Sequence, residues 1–152
     1  MKILNTILIV RPPAIVWDFV KNPENMPHWN PKVTYVSPSV FSDIQLGYRY
    51  TITYSMHQNS KATTFQAEMV HFEPPKKLLI RLTEQAPAVA NSVIDECYEL
   101  VEKEGGTFLT QTINVKNSGI NIFLRALIWV IQKWGKPTGK PYLAELRDLI
   151  EG

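Results

Sequence analysis

The sequence has little cysteine and no concentrated positive charge, and both shortages narrow the possible functions. Cys97 is the single cysteine among 152 residues, which excludes an internal disulfide and any metal site built from several cysteines. Sixteen basic residues stand against fourteen acidic ones, and the basic residues are scattered along the chain. Nucleic acid is therefore not expected as a partner.

Motifs of several enzyme classes are also missing. The sequence contains no GxGxxG, P-loop or GxSxG pattern, so nucleotide chemistry and the hydrolase elbow have no support. The three histidines, His28, His57 and His71, lack the spacing of metal ligands on a helix, and no HExxH motif is present. We therefore expect neither a metal nor a cofactor.

No segment has the pattern of a secretion signal or a membrane span. The first apolar run, residues 7–10, is four residues long and no small-residue cleavage site follows it. Residues 119–134 are too few for a span, and Arg125 would lie near its middle. With 45% apolar and 20% charged residues, the sequence predicts one cytoplasmic domain, residues 1–152, with a core large enough to contain a pocket.

The pattern along the chain predicts an α+β fold. Residues 2–11 are expected to form a strand that stops at Pro12 and Pro13, which suit the first turn of a helix ending near residues 22–23. Residues 24–31 are predicted as a structured loop or a single helical turn. A series of strands with period-two alternation follows, at about residues 32–38, 48–57, 62–72, 78–82, 92–102 and 107–115.

The last two strands are predicted to form a hairpin around residues 103–106, with both glycines supplying positive φ. If Leu100 faces Leu109, a register follows by period two. It pairs Tyr98 with Gln111, Glu96 with Ile113 and Ile94 with Val115, and turns Asp95, Cys97 and Glu99 outward. The hairpin therefore predicts a polar cluster of Glu96, Tyr98 and Gln111 on the inner, apolar face. An outward Cys97 disfavours a cysteine–histidine nucleophile pair.

Residues 119–134 are predicted to form a helix that is apolar on nearly two sides. Such a helix is either a deeply buried core element or one that meets the sheet on one side and a ligand, partner or membrane on the other. The glycines and prolines of residues 135–141 then break or kink the helix, and residues 142–150 restore a helical stripe.

The order of these elements resembles the START-related (SRPBCC) superfamily with the helix-grip fold, in its polyketide cyclase/dehydrase-like branch. The resemblance covers nearly the whole chain. The matching pieces are RPPAIVWDFVKNPENMPHWNP at 11–31, Gly47 entering a strand, FEPPKKLLIR at 72–81, EGGTFLTQ at 104–111 and YLAELRDLIE at 142–151.

The resemblance implies six to seven antiparallel strands curved around a long C-terminal helix, with short helices after the first strand. It also implies a deep apolar cavity between the sheet and that helix. Members bind lipids, sterols or polyketides, and some catalyse cyclisation or dehydration there. The family shares no universal catalytic motif, so no catalytic residue is carried over. Pro137 and Pro141 depart from the usual unbroken helix.

We therefore expect a protein that binds a hydrophobic small molecule. The expected ligand-binding residues are Trp29 at the cavity rim, then Tyr50, Ile52, Tyr54, Phe65, Met69, Ile80, Glu96, Tyr98, Gln111, Phe123, Leu127 and Ile131. Trp17 is expected to be ordinary core.

The enzymatic alternative is a cyclase or dehydratase in which Glu96 acts as acid and base, because desolvation would raise its pKa. Tyr54, Tyr98 and His71 are candidates to orient a carbonyl or phenol. The structural alternative is a glutamate that only forms hydrogen bonds with Tyr98 or Gln111.

A third hypothesis is a lipid-transfer or interaction module that docks through Ile122 and Trp129 on the outer side of the C-terminal helix. A homodimer or a weak contact with a membrane surface stays open on this hypothesis. We also expect residues 135–141 and residues 25–31 to form the gate through which a ligand enters. The sequence leaves the identity of the ligand open.

Overall fold

The computed structural model describes residues 2–38, 42–55, 62–84, 93–116 and 143–152. These residues form seven strands and three α-helices, and a 3₁₀ turn (Pro23–Asn25) joins the first two helices. In chain order the elements are β1 (Lys2–Ile9), α1 (Pro13–Val20), α2 (Met26–Trp29), β2 (Val33–Ser37), β3 (Arg49–Tyr54), β4 (Thr63–Glu73), β5 (Lys77–Glu84), β6 (Val93–Lys103), β7 (Gly106–Lys116) and α3 (Ala144–Glu151).

All seven described strands belong to one antiparallel sheet in the order β1-β7-β6-β5-β4-β3-β2. β1 and β2 therefore lie at opposite edges. Helix α3 packs on β1, helix α2 packs on β2, and the two helices also contact each other. Since helices on the two edges meet, the sheet curls. The fold is the predicted α+β helix-grip architecture.

Alternation along the strands separates an inner face, which carries the core, from an outer face. In β3, Tyr50, Ile52 and Tyr54 are buried, and the residues between them are at least partly exposed. β4 and β5 extend the same face with Phe65, Ala67, Met69, Leu78, Ile80 and Leu82, all of which are buried. The predicted period-two strands are confirmed.

The β6–β7 hairpin has the predicted register. Leu100 faces Leu109, Tyr98 faces Gln111, Glu96 faces Ile113 and Ile94 faces Val115. The turn differs in one respect, because positive φ occurs at Glu104 (41°) and Gly105 (81°) and not at Gly106. Gly106 is constrained by space, since a Cβ atom there would lie 2.6 Å from the Ile9 carbonyl oxygen.

Helix α1 begins after Pro12 with Pro13 at its first turn, as the two prolines predicted. Trp17 is buried in the core and its ring contacts Phe72 edge-on at 5.2 Å between centroids, which confirms the predicted packing role. Helix α3 buries Leu146 and Ile150, whereas Leu149, which was expected in the same stripe, is 40% exposed.

The start and the end of the described chain are joined by hydrogen bonds. The backbone N–H of Val10 donates to Glu151 Oε1 at 2.7 Å, and the Arg11 guanidinium donates to the Glu151 carbonyl oxygen. These contacts fix α3, which forms within the helical stripe predicted at residues 142–150, against the edge strand β1. The predicted helix at residues 119–134 and the break at residues 135–141 lie outside the described residues.

Candidate functional site

Polar side chains lie on the inner face in two neighbouring cross-strand rows of the sheet. Cross-strand pairing places Asn5 of β1 opposite Gln111 of β7, and Gln111 opposite Tyr98 of β6. Glu96 lies two residues from Tyr98 on the same strand, so its side chain points to the same face. Asn5, Gln111, Tyr98 and Glu96 form what we call the inner polar cluster.

Hydrogen bonds connect the whole cluster. Asn5 Nδ2 donates to Gln111 Oε1 at 3.3 Å, and Gln111 Nε2 donates to Glu96 Oε1 at 2.9 Å. The Tyr98 hydroxyl also donates to Glu96 Oε1, and Gln111 Nε2 lies 3.2 Å from the same hydroxyl oxygen. The cluster therefore ends on a single carboxylate oxygen.

The second carboxylate oxygen of Glu96, Oε2, differs from Oε1 in its hydrogen bonding. Among the described residues, both hydrogen bonds to the Glu96 carboxyl group fall on Oε1, which leaves Oε2 without a donor there. No fully buried side-chain nitrogen or oxygen in the described part of the chain lacks a hydrogen-bond partner. Oε2 is therefore not one of the completely buried atoms of the described chain.

Burial changes the acid–base properties of this region. Desolvation raises the pKa of Glu96 above its ordinary value, although the hydrogen bonds from Tyr98 and Gln111 act in the opposite direction. Burial also raises the pKa of Tyr50, and the negative charge of Glu96 adds to that increase. The electrostatic influence of Glu96 therefore extends to Tyr50 on β3.

On the outer face, the buried carboxylate is paired with a cation. Asp95 is 4% exposed and binds Arg81 through two hydrogen bonds, Nε to Oδ1 at 2.9 Å and Nη2 to Oδ2 at 3.1 Å. Cys97, on the same face, is partly exposed and lies 3.8 Å from Glu99 Oε1. The structure confirms that Cys97 points away from the inner polar cluster.

The structure brings together several residues that the sequence selected, without testing whether they bind a ligand. Tyr50, Ile52, Phe65, Met69 and Ile80 are buried on the inner face with Glu96, Tyr98 and Gln111. Phe123, Leu127 and Ile131 lie outside the described residues, as do Ile122 and Trp129.

Two candidate residues are not part of the cluster. Tyr54 pairs with Thr63, whereas the Glu96 row meets β4 at Met69, six residues and about 20 Å further along that strand. The prediction that Tyr54 acts beside Glu96 is therefore not supported by the register. Its ring instead contacts Phe65 edge-on at 5.7 Å.

His71 is on the wrong face for the predicted role. A bulge between Met69 and His71 shifts the register of β4, so Phe72 takes the inward position. The His71 ring is exposed and lies 3.2 Å from the carboxylate of Glu73. It cannot orient a group bound at Glu96.

Trp29 lies in a single helical turn, one of the two alternatives predicted for residues 24–31. It ends the short helix α2 and is buried with the core residues, and its expected position at a cavity rim stays a prediction. Proline at the first turn of α2 and the Asn30 backbone hydrogen bond to Met26 hold this helical turn.

Sequence reasoning missed Asn5 and undervalued Tyr50. Asn5 interrupts the inward series Ile3, Ile7 and Ile9 of β1, and this single polar residue in an apolar alternation was the available signal. Tyr50 was selected for its face of the strand, but its electrostatic link to Glu96 requires the cross-strand register.

Within the described ranges, no group of three or more metal-ligating side chains comes together. The same part of the chain contains no helix long and apolar enough to cross a membrane.

Comparison with known families agrees with the fold. A family model described as polyketide cyclase / dehydrase and lipid transport matches residues 2–151. The chain belongs to that family. The resemblance predicted from the sequence motifs is thereby confirmed, and the chain is a ligand-binding or polyketide cyclase/dehydrase-type domain of the helix-grip class. No curated protein sequence matches the chain at a significant level.

Solved structures support the fold at low sequence identity. Protein CV1439 from Chromobacterium violaceum superposes with a TM-score of 0.72 at 14% identity, over 99% of this chain and 97% of that chain. Protein MLL2253 from Mesorhizobium loti gives a TM-score of 0.63 at 20% identity, and Ara h 8.0201 gives 0.66 at 11%, each with the same coverage. At these identities the likeness concerns the fold alone.

Proposed function

We propose that the protein binds an apolar small molecule against the inner face of the sheet, with the Glu96 carboxyl group as its polar contact. The observation that carries this proposal is the inner polar cluster, set among aliphatic and aromatic side chains, with Oε2 of Glu96 left without a described donor. Ligand sites commonly combine an apolar lining with a few placed polar groups.

The apolar residues that line the site and the Glu96 carboxyl group would have separate roles. Met69, Ile80 and Ile113 lie in the same cross-strand row as Glu96 and offer apolar contact. Such contact contributes roughly 25 cal/mol for each Å² of apolar surface removed from water, but it gives little orientation. The Glu96 carboxyl group would orient the ligand, because a buried polar atom is stabilised when a hydrogen-bond partner reaches it.

The remaining wall of the site is a sequence expectation. The predicted helix at residues 119–134, with Phe123, Leu127 and Ile131, would close the cavity against the sheet. Family membership supports this arrangement. The gate at residues 25–31 and 135–141 remains part of the same proposal, and the Pro137→Ala/Pro141→Ala double variant should slow ligand exchange. Unchanged on- and off-rates would place the gate elsewhere.

Binding is tested with Nile red, a neutral apolar dye whose fluorescence rises on leaving water, together with native mass spectrometry of the purified protein. We expect saturable dye binding or a co-purifying small molecule. Glu96→Gln should change the selectivity of the site, and Asp95→Asn, the neighbouring carboxylate on the outer face, is the matched control. Absence of both dye binding and any co-purifying molecule would contradict the proposal.

A second candidate function is catalysis, and the raised pKa of Glu96 is the observation that favours it. A carboxyl group whose pKa is raised above its ordinary value is a better acceptor of a substrate proton than an ordinary carboxylate. In a dehydration, Glu96 would take a proton from the carbon beside a ligand carbonyl and return it to the departing hydroxyl, which leaves as water.

This catalytic candidate is tested with the Glu96→Gln variant on a polyketide-like hydroxyketone. Turnover should be lost in Glu96→Gln and kept in Asp95→Asn. Turnover unaffected by Glu96→Gln would remove the role assigned to this residue. The lipid-transfer hypothesis, with docking through Ile122 and Trp129, is tested by co-sedimentation with liposomes and by the dependence of molecular size on concentration.

A further inference from the structure

The hydrogen bonds of the inner polar cluster all run in one direction. The amide of Asn5 donates to Gln111, and both the amide of Gln111 and the hydroxyl of Tyr98 donate to Glu96. Gln111 uses its side-chain nitrogen towards Glu96 and Tyr98, while its carbonyl oxygen accepts from Asn5. The chain of donors favours an acceptor at its end, which offsets part of the desolvation that raises the pKa of Glu96.

The charge of that carboxylate is not balanced by the cluster. Every described donor to Glu96 is neutral, and no described lysine or arginine forms an ion pair with it. A buried carboxylate is usually accompanied by a cation, as Asp95 is by Arg81 on the outer face. Among the described residues, the inner site therefore has donors for one oxygen and no positive charge beside the other.

A ligand can supply what the cluster lacks. An ammonium group brings a positive charge together with N–H donors, and both fit an open carboxylate oxygen. A hydroxyl group brings one donor without charge, and a carboxylate brings a second negative charge. The apolar surroundings strengthen the difference, because charge pairing is less screened away from water.

We propose that the ligand is a cationic amphiphile, an apolar body carrying a protonated amine that binds Glu96 Oε2. The inference rests on the proposed binding function and specifies the class of its ligand. Tyr50 lies close enough to Glu96 for the carboxylate charge to influence its hydroxyl, so it is the neighbouring residue expected to sense the bound amine.

Three probes with one apolar body test this inference by displacing Nile red at neutral pH: dodecylamine and dodecanoate, each below its micelle concentration, and dodecanol below its solubility limit. Dodecylamine should bind at least about tenfold more tightly than dodecanol, the ratio expected for a hydrogen bond to a charged group. Dodecanoate should bind more weakly than dodecanol.

Two variants test whether Glu96 is responsible for the preference for dodecylamine. Glu96→Gln retains an acceptor for Tyr98 and Gln111 and should bring dodecylamine within about twofold of dodecanol, because charged hydrogen bonds supply the difference. Asp95→Asn should keep the wild-type ranking. Equal or weaker binding of dodecylamine in the wild type would overturn the inference, as would an amine preference that survives in Glu96→Gln. Binding of dodecanol without an amine preference would leave the proposed function standing, whereas failure of every apolar probe would remove both.

Discussion

Asp95 and Glu96 are consecutive residues, both buried, and they differ in the face of the sheet to which they point. Asp95 meets Arg81 through two hydrogen bonds, which balance its charge. Glu96 receives hydrogen bonds from Tyr98 and Gln111, which satisfy one oxygen and leave its charge unbalanced. A buried carboxylate with its own cation stabilises the fold, whereas one with neutral donors is suited to a ligand.

The outer face extends this contrast across the sheet. Register places Arg49 opposite Glu68, Glu68 opposite Arg81 and Arg81 opposite Asp95, so charges of opposite sign alternate over four strands. Arg49 Nε lies 2.7 Å from Glu68 Oε1. The charges of the outer row balance one another, whereas the charge of Glu96 is not balanced within the inner polar cluster.

The largest expected effect is the difference in lost stability between an apolar side chain on the inner face and one on the outer face. Leu109→Ala removes a fully buried inner side chain between Ile7 and Leu100 and should lower the free energy of unfolding by about 3 kcal/mol. Leu4→Ala, the same change at an outer position that is 62% exposed, should cost no more than about 0.5 kcal/mol. Urea titration measures both, and equal losses would contradict the assignment of the faces.

The next effect concerns the outer carboxylate. Asp95→Asn leaves Arg81 without its partner and should lower the free energy of unfolding by about 2 kcal/mol, less than for a fully buried pair because Arg81 is partly exposed. Arg81→Gln should lose at least as much, because it leaves the buried Asp95 carboxylate without its cation. Full stability of Asp95→Asn in thermal unfolding would show that the pair is not structural.

On the inner face, replacing the Glu96 carboxyl group is expected to change stability by less than Asp95→Asn does, and to increase it. The raised pKa of Glu96 means that, as pH rises above the ordinary glutamate value, the unfolded chain loses its proton before the folded one. Stability contributed by protonated Glu96 is therefore lost as pH rises to the raised value, and Glu96→Gln lacks this loss.

Melting temperatures of Glu96→Gln and the wild type should thus be similar at low pH and diverge above it, with the variant the more stable. The groups facing Glu96 do not obscure the result, because Gln111 does not titrate and burial holds the pKa of Tyr50 above its ordinary value. A difference that does not depend on pH would contradict the desolvation of Glu96.

The smallest effect is expected at Cys97. Burial and then the Glu99 carboxylate raise the pKa of its thiol, which lowers the thiolate fraction near neutral pH. Iodoacetamide should therefore react more slowly with Cys97 than with free cysteine, and Cys97→Ser should bind Nile red as the wild type does. Rapid alkylation would contradict the raised pKa of the thiol, and loss of binding in Cys97→Ser would contradict its position on the outer face.

The sequence was sufficient to predict strand register where paired strands are also consecutive in the chain. The pairing of Tyr98 with Gln111 follows from a tight turn and period two, because the turn fixes the register. The role of Asn5 did not follow, since β1 pairs with β7 from the other end of the chain. No local pattern encodes that register.

The β4 bulge explains the error at His71. Alternation from Phe65, Ala67 and Met69 predicts an inward residue 71, and one extra residue reverses the faces beyond Met69. Tyr54 was placed beside Glu96 for a related reason: period two assigns a face but gives no position along the strand. The single helical turn that contains Trp29 was one of the two alternatives predicted for residues 24–31, because the flanking prolines fit both.

The most direct test of ligand binding on the inner face is a methyl NMR titration of the protein, labelled at isoleucine, leucine and valine, with dodecanol. The account predicts saturable shifts at Ile80, Ile94 and Ile113 on the inner face, with Leu4 and Val101 on the outer face unchanged. Shifts confined to Leu4 and Val101, or an unchanged spectrum at saturating dodecanol, would contradict it.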